Sequence, residues 1–330
     1  MKENTKREIL LESGTNEMEI LEFYLGEQSF GLNVQKLIEI IPYDEKRRTA
    51  IPESPPSVLG VFEVRGQSIP LIDLGLHLQK NAELETTEET RKIVLVCKFN
   101  KRTNAFLVDG VNQIHRQSWN DVVPMPFYLD QYRPRFTGSV SIDSREILIV
   151  DLEHVVSEVD PDLTIDQHGF GSGTADNYAV EDHQMSRESV SLMLAEDSSI
   201  IRLSIQKVLT DSGYKKLEIF PDGDDCYEAI RNLLNECNGS EEELLKHLDL
   251  LITDIEMPKM DGLTLCRKIR EELGLKNLKI VMFSSLITEQ MAHKCDSVGA
   301  NGYMSKPEIK ELISMVDTLV FSTEIPEAAA

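Results

Sequence analysis

Four places in the second half of this 330-residue chain carry side chains suited to phosphoryl chemistry. They are Glu196-Asp197, Asp254, Ser284-Ser285 and Lys306-Pro307. Each follows a short apolar run: SLMLA, LDLLIT, KIVMF and NGYMS. If those runs are parallel strands, their carboxyl ends lie side by side, where α/β sheets gather functional groups. Three carboxylates, a hydroxyl and an ammonium would then surround one shallow cleft. Clustered carboxylates repel unless a cation lies among them. Mg²⁺, hard and oxygen-loving, suits such a set while keeping several waters. Beside a metal, Asp254 could attack a phosphoryl group, with Lys306 and the Ser284 hydroxyl holding its oxygens. Taken singly, Asp197 and Asp254 read more simply as helix N-caps, a role acids often fill after strands. The strand ends taken together favour a site.

Positioning these groups requires a parallel sheet, and the chain from about Val190 to Phe321 has the pattern for one. Five apolar runs alternate with five helical patterns, which predicts strands crossed over by helices on both faces. The half from about Glu17 to Val156 reads as all-β. Leu21, Phe23 and Leu25 alternate, Gly26-Glu27-Gln28 turns, and Phe30, Leu32 and Val34 alternate again. Val34, Leu37, Ile38 and Ile41 fit i, i+3, i+4, i+7 and predict one short helix, ended by Pro42. Further hairpins turn at Arg65-Gly66-Gln67, between KIVLVCKF and NAFLVDGV, and at Asp143-Ser144. Short strands at this spacing predict small barrels. Between the halves, Ser157 to Ser189 holds eight acids and one base, with no period of 2 or 3.6. It cannot bury enough surface to offset its ordering entropy and reads as a linker. Its GFGSG follows no strand, and Phe170 stands where G-x-S-x-G needs its first glycine.

Composition removes several function classes. Lys and Arg number 34 against 57 Asp and Glu, a net charge of −23, which opposes a nucleic-acid backbone binder. Apolar runs are short, as in Ile93 to Val96, whereas a membrane span needs roughly 20 residues. The polar N-terminus lacks an apolar signal core, so a cytoplasmic protein without direct membrane insertion is expected. The five cysteines are scattered without a C-x-x-C, so neither a zinc site nor a disulfide framework is expected. The histidines are dispersed too, and none is read as a ligand or base.

The run TDIEMPKMDG (Thr253 to Gly262) resembles the acceptor motif of response-regulator receiver domains, the CheY-like fold, over residues 190–321. Intervals of 30 residues from Asp254 to Ser284 and 52 to Lys306 match that family. The resemblance implies that Asp254 is the phosphoacceptor. Glu196 and Asp197 would be the acidic pair that holds Mg²⁺ with Asp254 and the backbone carbonyl of Glu256. Ser284 would be the switch hydroxyl, Tyr303 the switch aromatic and Lys306 the phosphoryl contact. The pair is Glu-Asp rather than Asp-Asp, Ser284 replaces the commoner Thr, and about a dozen extra residues lie around NECNGSEEELLKHL. In the first half, LGVFEVRGQSIPLIDL (Leu59 to Leu74) and EILIVDLEHVV (Glu146 to Val156) are similar to the CheW coupling fold. There, two five-stranded SH3-like subdomains bind the histidine kinase CheA and the tips of chemoreceptors, the methyl-accepting chemotaxis proteins. Arg65 aligns with an arginine important in that family and would be partner-binding. Alone it reads as a solvated hairpin residue.

The expected architecture is therefore multidomain. An all-β CheW-like double SH3-like barrel spans 17–157, an acidic flexible linker 158–189, and a doubly wound (βα)5, flavodoxin-like receiver 190–321. That plan resembles the CheV family. It implies a non-enzymatic adaptor, associated with membrane receptor arrays and tuned through Asp254. The face near Thr288 to Val298 and Asn301 to Tyr303 is expected to change on phosphorylation and to dock on the β half. An alternative is a phosphate sink that merely drains phosphoryl groups. A haloacid-dehalogenase-type phosphotransferase would read Asp254-x-Glu256 as its D-x-D. The acidic strand end before it and Pro258 oppose that reading. A transcription factor lacks room for a helix-turn-helix after the receiver, and the failed G-x-S-x-G opposes a methylesterase.

Overall fold

A computed structural model describes residues 14–78, 92–125, 135–159, 187–285, 288–306 and 309–321. Among the described residues its first half holds twelve strands: β1 (Glu17–Leu25), β2 (Gln28–Asn33), β3 (Leu37–Pro42), β4 (Arg48–Thr49), β5 (Val58–Val64), β6 (Gln67–Asp73), β7 (Ile93–Phe99), β8 (Arg102–Val108), β9 (Gly110–Ser118), β10 (Val123–Pro124), β11 (Phe136–Ile142) and β12 (Arg145–Val150). They form two six-stranded sheets, ordered β10-β11-β12-β2-β1-β9 and β3-β7-β8-β6-β5-β4. The hairpins turn where expected. Arg65 and Gly66 have φ of +50° and +80°, Asn100 and Lys101 +50° and +60°, Asp143 and Ser144 +49° and +62°. Two left-handed residues give a turn whose twist matches that of the flanking strands. Short helices α1 (Leu74–Leu78) and α2 (Leu152–Val159) follow β6 and β12. Each sheet has its own core, and a third cluster joins them: Phe23, Phe30, Ile72, Leu95, Phe106, Val150 and Val155 are all buried together.

The helix expected over Val34 to Ile41 is not formed. A 3-10 turn covers Val34–Lys36, capped by Asn33, whose side chain accepts from the Gln35 N–H. The chain then extends as β3 against β7. In β3, Leu37, Glu39 and Ile41 are half-buried while Ile38 and Ile40 are exposed. Three β-branched isoleucines fit a pleated edge, and the ladder to β7 overrides the helical spacing. Strand β9 was not foreseen. GVNQIHRQS is largely polar, and pairing with β1 holds it in place.

The second half contains β13 (Ser191–Ala195), α3 (Ser199–Asp211), β14 (Lys216–Phe220), α4 (Gly223–Glu236), α5 (Glu241–Leu244), β15 (Leu250–Thr253), α6 (Gly262–Glu271), β16 (Lys279–Ser284), α7 (Glu289–Ser297), β17 (Gly302–Ser305) and α8 (Ile309–Phe321). The sheet is wholly parallel in the order β14-β13-β15-β16-β17. One face packs Met193, Leu251, Ile280 and Met282 under α4, α6 and α7. The other packs Leu192, Ile252 and Phe283 under α3 and α8. The extra residues before Asp254 form the end of α4 and the single turn α5, capped by Ser240. Most of the expected linker, residues 160–186, lies outside the described residues. At its edges α2 runs to Val159, and Arg187 is pinned to the second half by Asp317, with Nε 2.8 Å from Oδ1. All five cysteines are buried and free. Among the described residues no helix is long and apolar enough to cross a membrane.

Candidate functional site

In-register pairing of Ala195 with Thr253, Thr253 with Met282, and Ser284 with Ser305 sets the strand ends level. The next residues therefore converge. Ligand atoms of Glu196, Asp197 and Asp254 all lie within 4.8 Å of one another. Lys306 Nζ stands 2.8 Å from Asp254 Oδ2 and 3.2 Å from Glu196 Oε1. The Ile255 N–H donates to Asp254 Oδ1 at 2.7 Å, and the Ser198 N–H to Glu196 Oε1 at 3.2 Å. Neither Asp197 nor Asp254 is a helix cap. Ser198 occupies that position for α3, and Asp261 caps α6 by accepting from the Thr264 N–H at 2.7 Å. Gly262 is required by close approach, because a Cβ there would lie 2.0 Å from the Asp254 carbonyl oxygen.

The electrostatics show too little positive charge. Burial first, then Asp254, push the Asp197 carboxyl up to about 8. Glu196 and Asp254 are also raised, chiefly by burial, although Lys306 pulls both the other way. Burial would lower the Lys306 ammonium, but Asp254 and Glu196 hold it well above its usual range. Glu196 Oε2 is buried with no hydrogen-bond partner among the described residues. One ammonium among three carboxylates, plus an orphaned carboxylate oxygen, fits a hard divalent cation held by oxygens.

The other expected residues fall as follows. Ser284 ends β16 and is buried. Tyr303, on β17, is half-buried against the core that contains Met282 and Met291. The Glu256 side chain lines the same cavity but is held by the first half: its Oε2 is 2.8 Å from Lys36 Nζ and its Oε1 accepts from Asn33 Nδ2 at 3.0 Å. Arg65 sits at a hairpin tip, its side chain 79% exposed, and reaches Glu39 Oε2 at 2.8 Å.

Sequence reasoning missed that the first half lies across this cleft. Lys36, buried, bridges Glu256 and Glu153 of α2, with Nζ 2.8 Å from each. Asn16 donates from Nδ2 to the Lys259 carbonyl (2.8 Å) and accepts at Oδ1 from the Asp261 N–H (2.9 Å). The Lys259 N–H donates to the Trp119 carbonyl at 2.9 Å, and the Asn100 N–H to the Ser285 carbonyl at 2.8 Å. The seam thus centres on residues 256–261 and Ser285. The face expected to dock contributes Lys294, which lines a small cavity with Asn16 and Trp119. Only the lone tryptophan, Trp119, could have hinted at this surface.

Comparison with known proteins gives each half a family. The CheW-like domain matches residues 19–160, and the response regulator receiver domain matches residues 192–317. A probable chemotaxis protein CheW of Rhizobium etli is 30% identical over 143 residues, 43% of this chain and 89% of its own. A chemotaxis protein CheY of Treponema pallidum is 33% identical over 116 residues, 35% of this chain and 72% of its own. The chemotaxis protein CheV3 of Helicobacter pylori matches across both halves, 27% identical over 294 residues and 88% of each chain. A coupling half built on two six-stranded sheets, a receiver half with its acids at the strand ends, and relatives that join the same two parts place this chain in the CheV family of chemotaxis coupling adaptors.

Proposed function

We propose that the chain couples chemoreceptors to the histidine kinase CheA and is tuned by phosphorylation of Asp254. The observation that carries this reading is the acceptor cleft. Three carboxylates meet one buried ammonium there, within a chain whose other half is CheW-like. The Ile255 N–H and Lys306 fix the two Asp254 oxygens. One of them forms the bond to phosphorus as the bond from phosphorus to the donor breaks, and the donor leaves with the electron pair. Lys306 then neutralises phosphoryl oxygen. Glu196, Asp197, Asp254 and the backbone carbonyl of Glu256 would hold Mg²⁺, which supplies further positive charge. Ser284 moves toward the phosphoryl oxygens, and Tyr303 fills the space it leaves. Domain limits of 17–157 and 190–321, joined by an acidic tether, would let the seam between the halves part and re-form. The protein works at receptor arrays on the cytoplasmic side.

With Mg²⁺ and acetyl phosphate, the chain is expected to gain one hydroxylamine-sensitive acyl phosphate, which Asp254→Ala abolishes. Undiminished label on that variant would sink the acceptor assignment. Arg65→Ala is expected to weaken binding to kinase or receptor while moving stability by no more than about 0.5 kcal/mol, as for most exposed sites. A melting shift as large as that of a core truncation would make Arg65 structural instead. In reconstituted arrays, a beryllofluoride mimic that leaves kinase control unchanged would favour the phosphate-sink reading.

A further inference from the structure

The first half does more than touch the receiver. Glu153, in the first turn of α2, lines the same cavity as Asp197, Asp254 and Lys306. Its Oε1 accepts from Lys36, while its Oε2 is buried with no hydrogen-bond partner among the described residues. Asp151 holds that turn in place by accepting from the N–H groups of Glu153 and His154, both at 3.0 Å. The cavity measures about 30 Å³. That is room for about one water or a bare ion; Asp151 and Asp197 also line a groove of about 960 Å³ beside it, whose lining includes neither Asp254 nor Lys306.

We propose that the coupling half is the receiver's own gate. Glu153 adds a further carboxylate to the wall of that cavity, where an incoming phosphoryl group would meet it, and Lys36 bolts the closed state through Glu256. Docking and phosphorylation of Asp254 are then mutually exclusive. A phosphoryl group brings a charge of roughly −1.5 to −2 into a cleft that already faces Glu153. In the closed cleft Lys306 is paired with Asp254 and Glu196, and Lys36 with Glu153 and Glu256, so the added charge would meet Glu153 uncompensated. Opening uncovers Lys36, Asn33 and Trp119 on the coupling half, a surface that is covered in the closed chain. This inference rests on Asp254 as the acceptor and adds how access to it is controlled.

The test uses the full chain. Asn16→Gly removes both Asn16 hydrogen bonds across the seam, suits the +60° φ of that residue, and leaves the carboxylate trio untouched. Lys36→Met removes the bolt. With Mg²⁺ and acetyl phosphate, both variants are expected to label at least about fivefold faster than wild type, the low end of common coupling strengths. In labelling, the Asp254 carboxylate oxygen bonds to phosphorus as the bond to acetate breaks, and acetate departs. Because the native thiols are buried, spin labels can be placed at Glu63→Cys and Glu271→Cys. The distance between them is expected to lengthen when beryllofluoride and Mg²⁺ are added to the wild type. It is expected to lengthen less in Glu153→Gln, which can donate to a phosphoryl oxygen rather than repel it. Equal labelling rates in wild type and both variants, or an unchanged distance in a chain that does label, overturns the gate alone. Absence of label from every chain overturns the acceptor reading, and the gate with it.

Discussion

Metal-free protein is expected to lose stability as pH rises, and Asp197 is the residue with which to measure it. In the folded chain its carboxyl titrates near 8 rather than 3.8, because of burial first and the neighbouring Asp254 second. Between those values the folded state keeps a proton that the unfolded state has released. Unfolding free energy therefore falls with rising pH across that window and levels off above it. A difference of about four pH units bounds the loss at ~6 kcal/mol. Asp197 is only half-buried, so solvent screening reduces this, and about 2–3 kcal/mol is the expected size. For a domain of this length each kcal/mol moves the melting temperature by roughly 3–5 °C, which makes the fall about 10 °C. The assay is thermal unfolding in EDTA from about pH 5 to pH 8, repeated with millimolar Mg²⁺, for wild type and Asp197→Asn. Glu196 and Asp254 are raised as well, so the difference between the chains carries the result rather than either slope. Asp197→Asn is expected to melt higher than wild type at the alkaline end and to gain less from Mg²⁺. Parallel EDTA curves for the two chains would refute the reasoning.

Three other outcomes are expected. Burial would raise Glu22, but hydrogen bonds with His115, Ser29, Asn112 and Arg145 bring its carboxyl down to about 2. Its stabilisation is thus complete above about pH 4.5 and lost as pH falls toward 2; by urea unfolding, Glu22→Gln should cost roughly 2–3 kcal/mol at neutral pH and flatten the acid limb. Lys306→Met removes the cation that competes for Asp254, so calorimetry should find Mg²⁺ affinity kept or raised while beryllofluoride binding is lost. Gly262→Ala drives a methyl into the Asp254 carbonyl, and is expected to cost about 3 kcal/mol in denaturant unfolding and to slow acyl-phosphate formation.

Much of this molecule can be read locally. The acids and the lysine of the cleft each follow an apolar run, so alternation of strands and helices was enough to bring them together. Arg65-Gly66 and Asp143-Ser144 marked their hairpins because each pair holds one residue, Gly66 or Asp143, that takes left-handed backbone more readily than most. The failures have a common cause. Leu37 to Ile41 fits the helical spacing, and only the presence of β7 selects the strand. β9 carries no apolar alternation, since its neighbour supplies its hydrogen bonds. Lys36 looks like any surface lysine, and its burial depends on Glu153, 117 residues further along. Contacts so remote leave no trace in a window of neighbouring residues. The seam across the receiver was invisible for that reason, whereas the cleft beneath it was not.

The order of strands in the coupling half bears on how the chain is made. The sheet β3-β7-β8-β6-β5-β4 uses one uninterrupted stretch, so it can assemble while synthesis continues. The other sheet joins β1 and β2, made first, to β9 and to β10 through β12, made last. Its opening hairpin must wait, with β2 unpaired on its outer edge, until Leu148 and Ile149 leave the ribosome to pair with Phe30 and Gly31. Non-local closure of this kind is slow and leaves edges open to wrong partners in the meantime. Asn16 and Asn33 lie at the two ends of that waiting hairpin. The receiver emerges later still. Vectorial synthesis thus exposes the receiver only after every strand behind its docking face has been made.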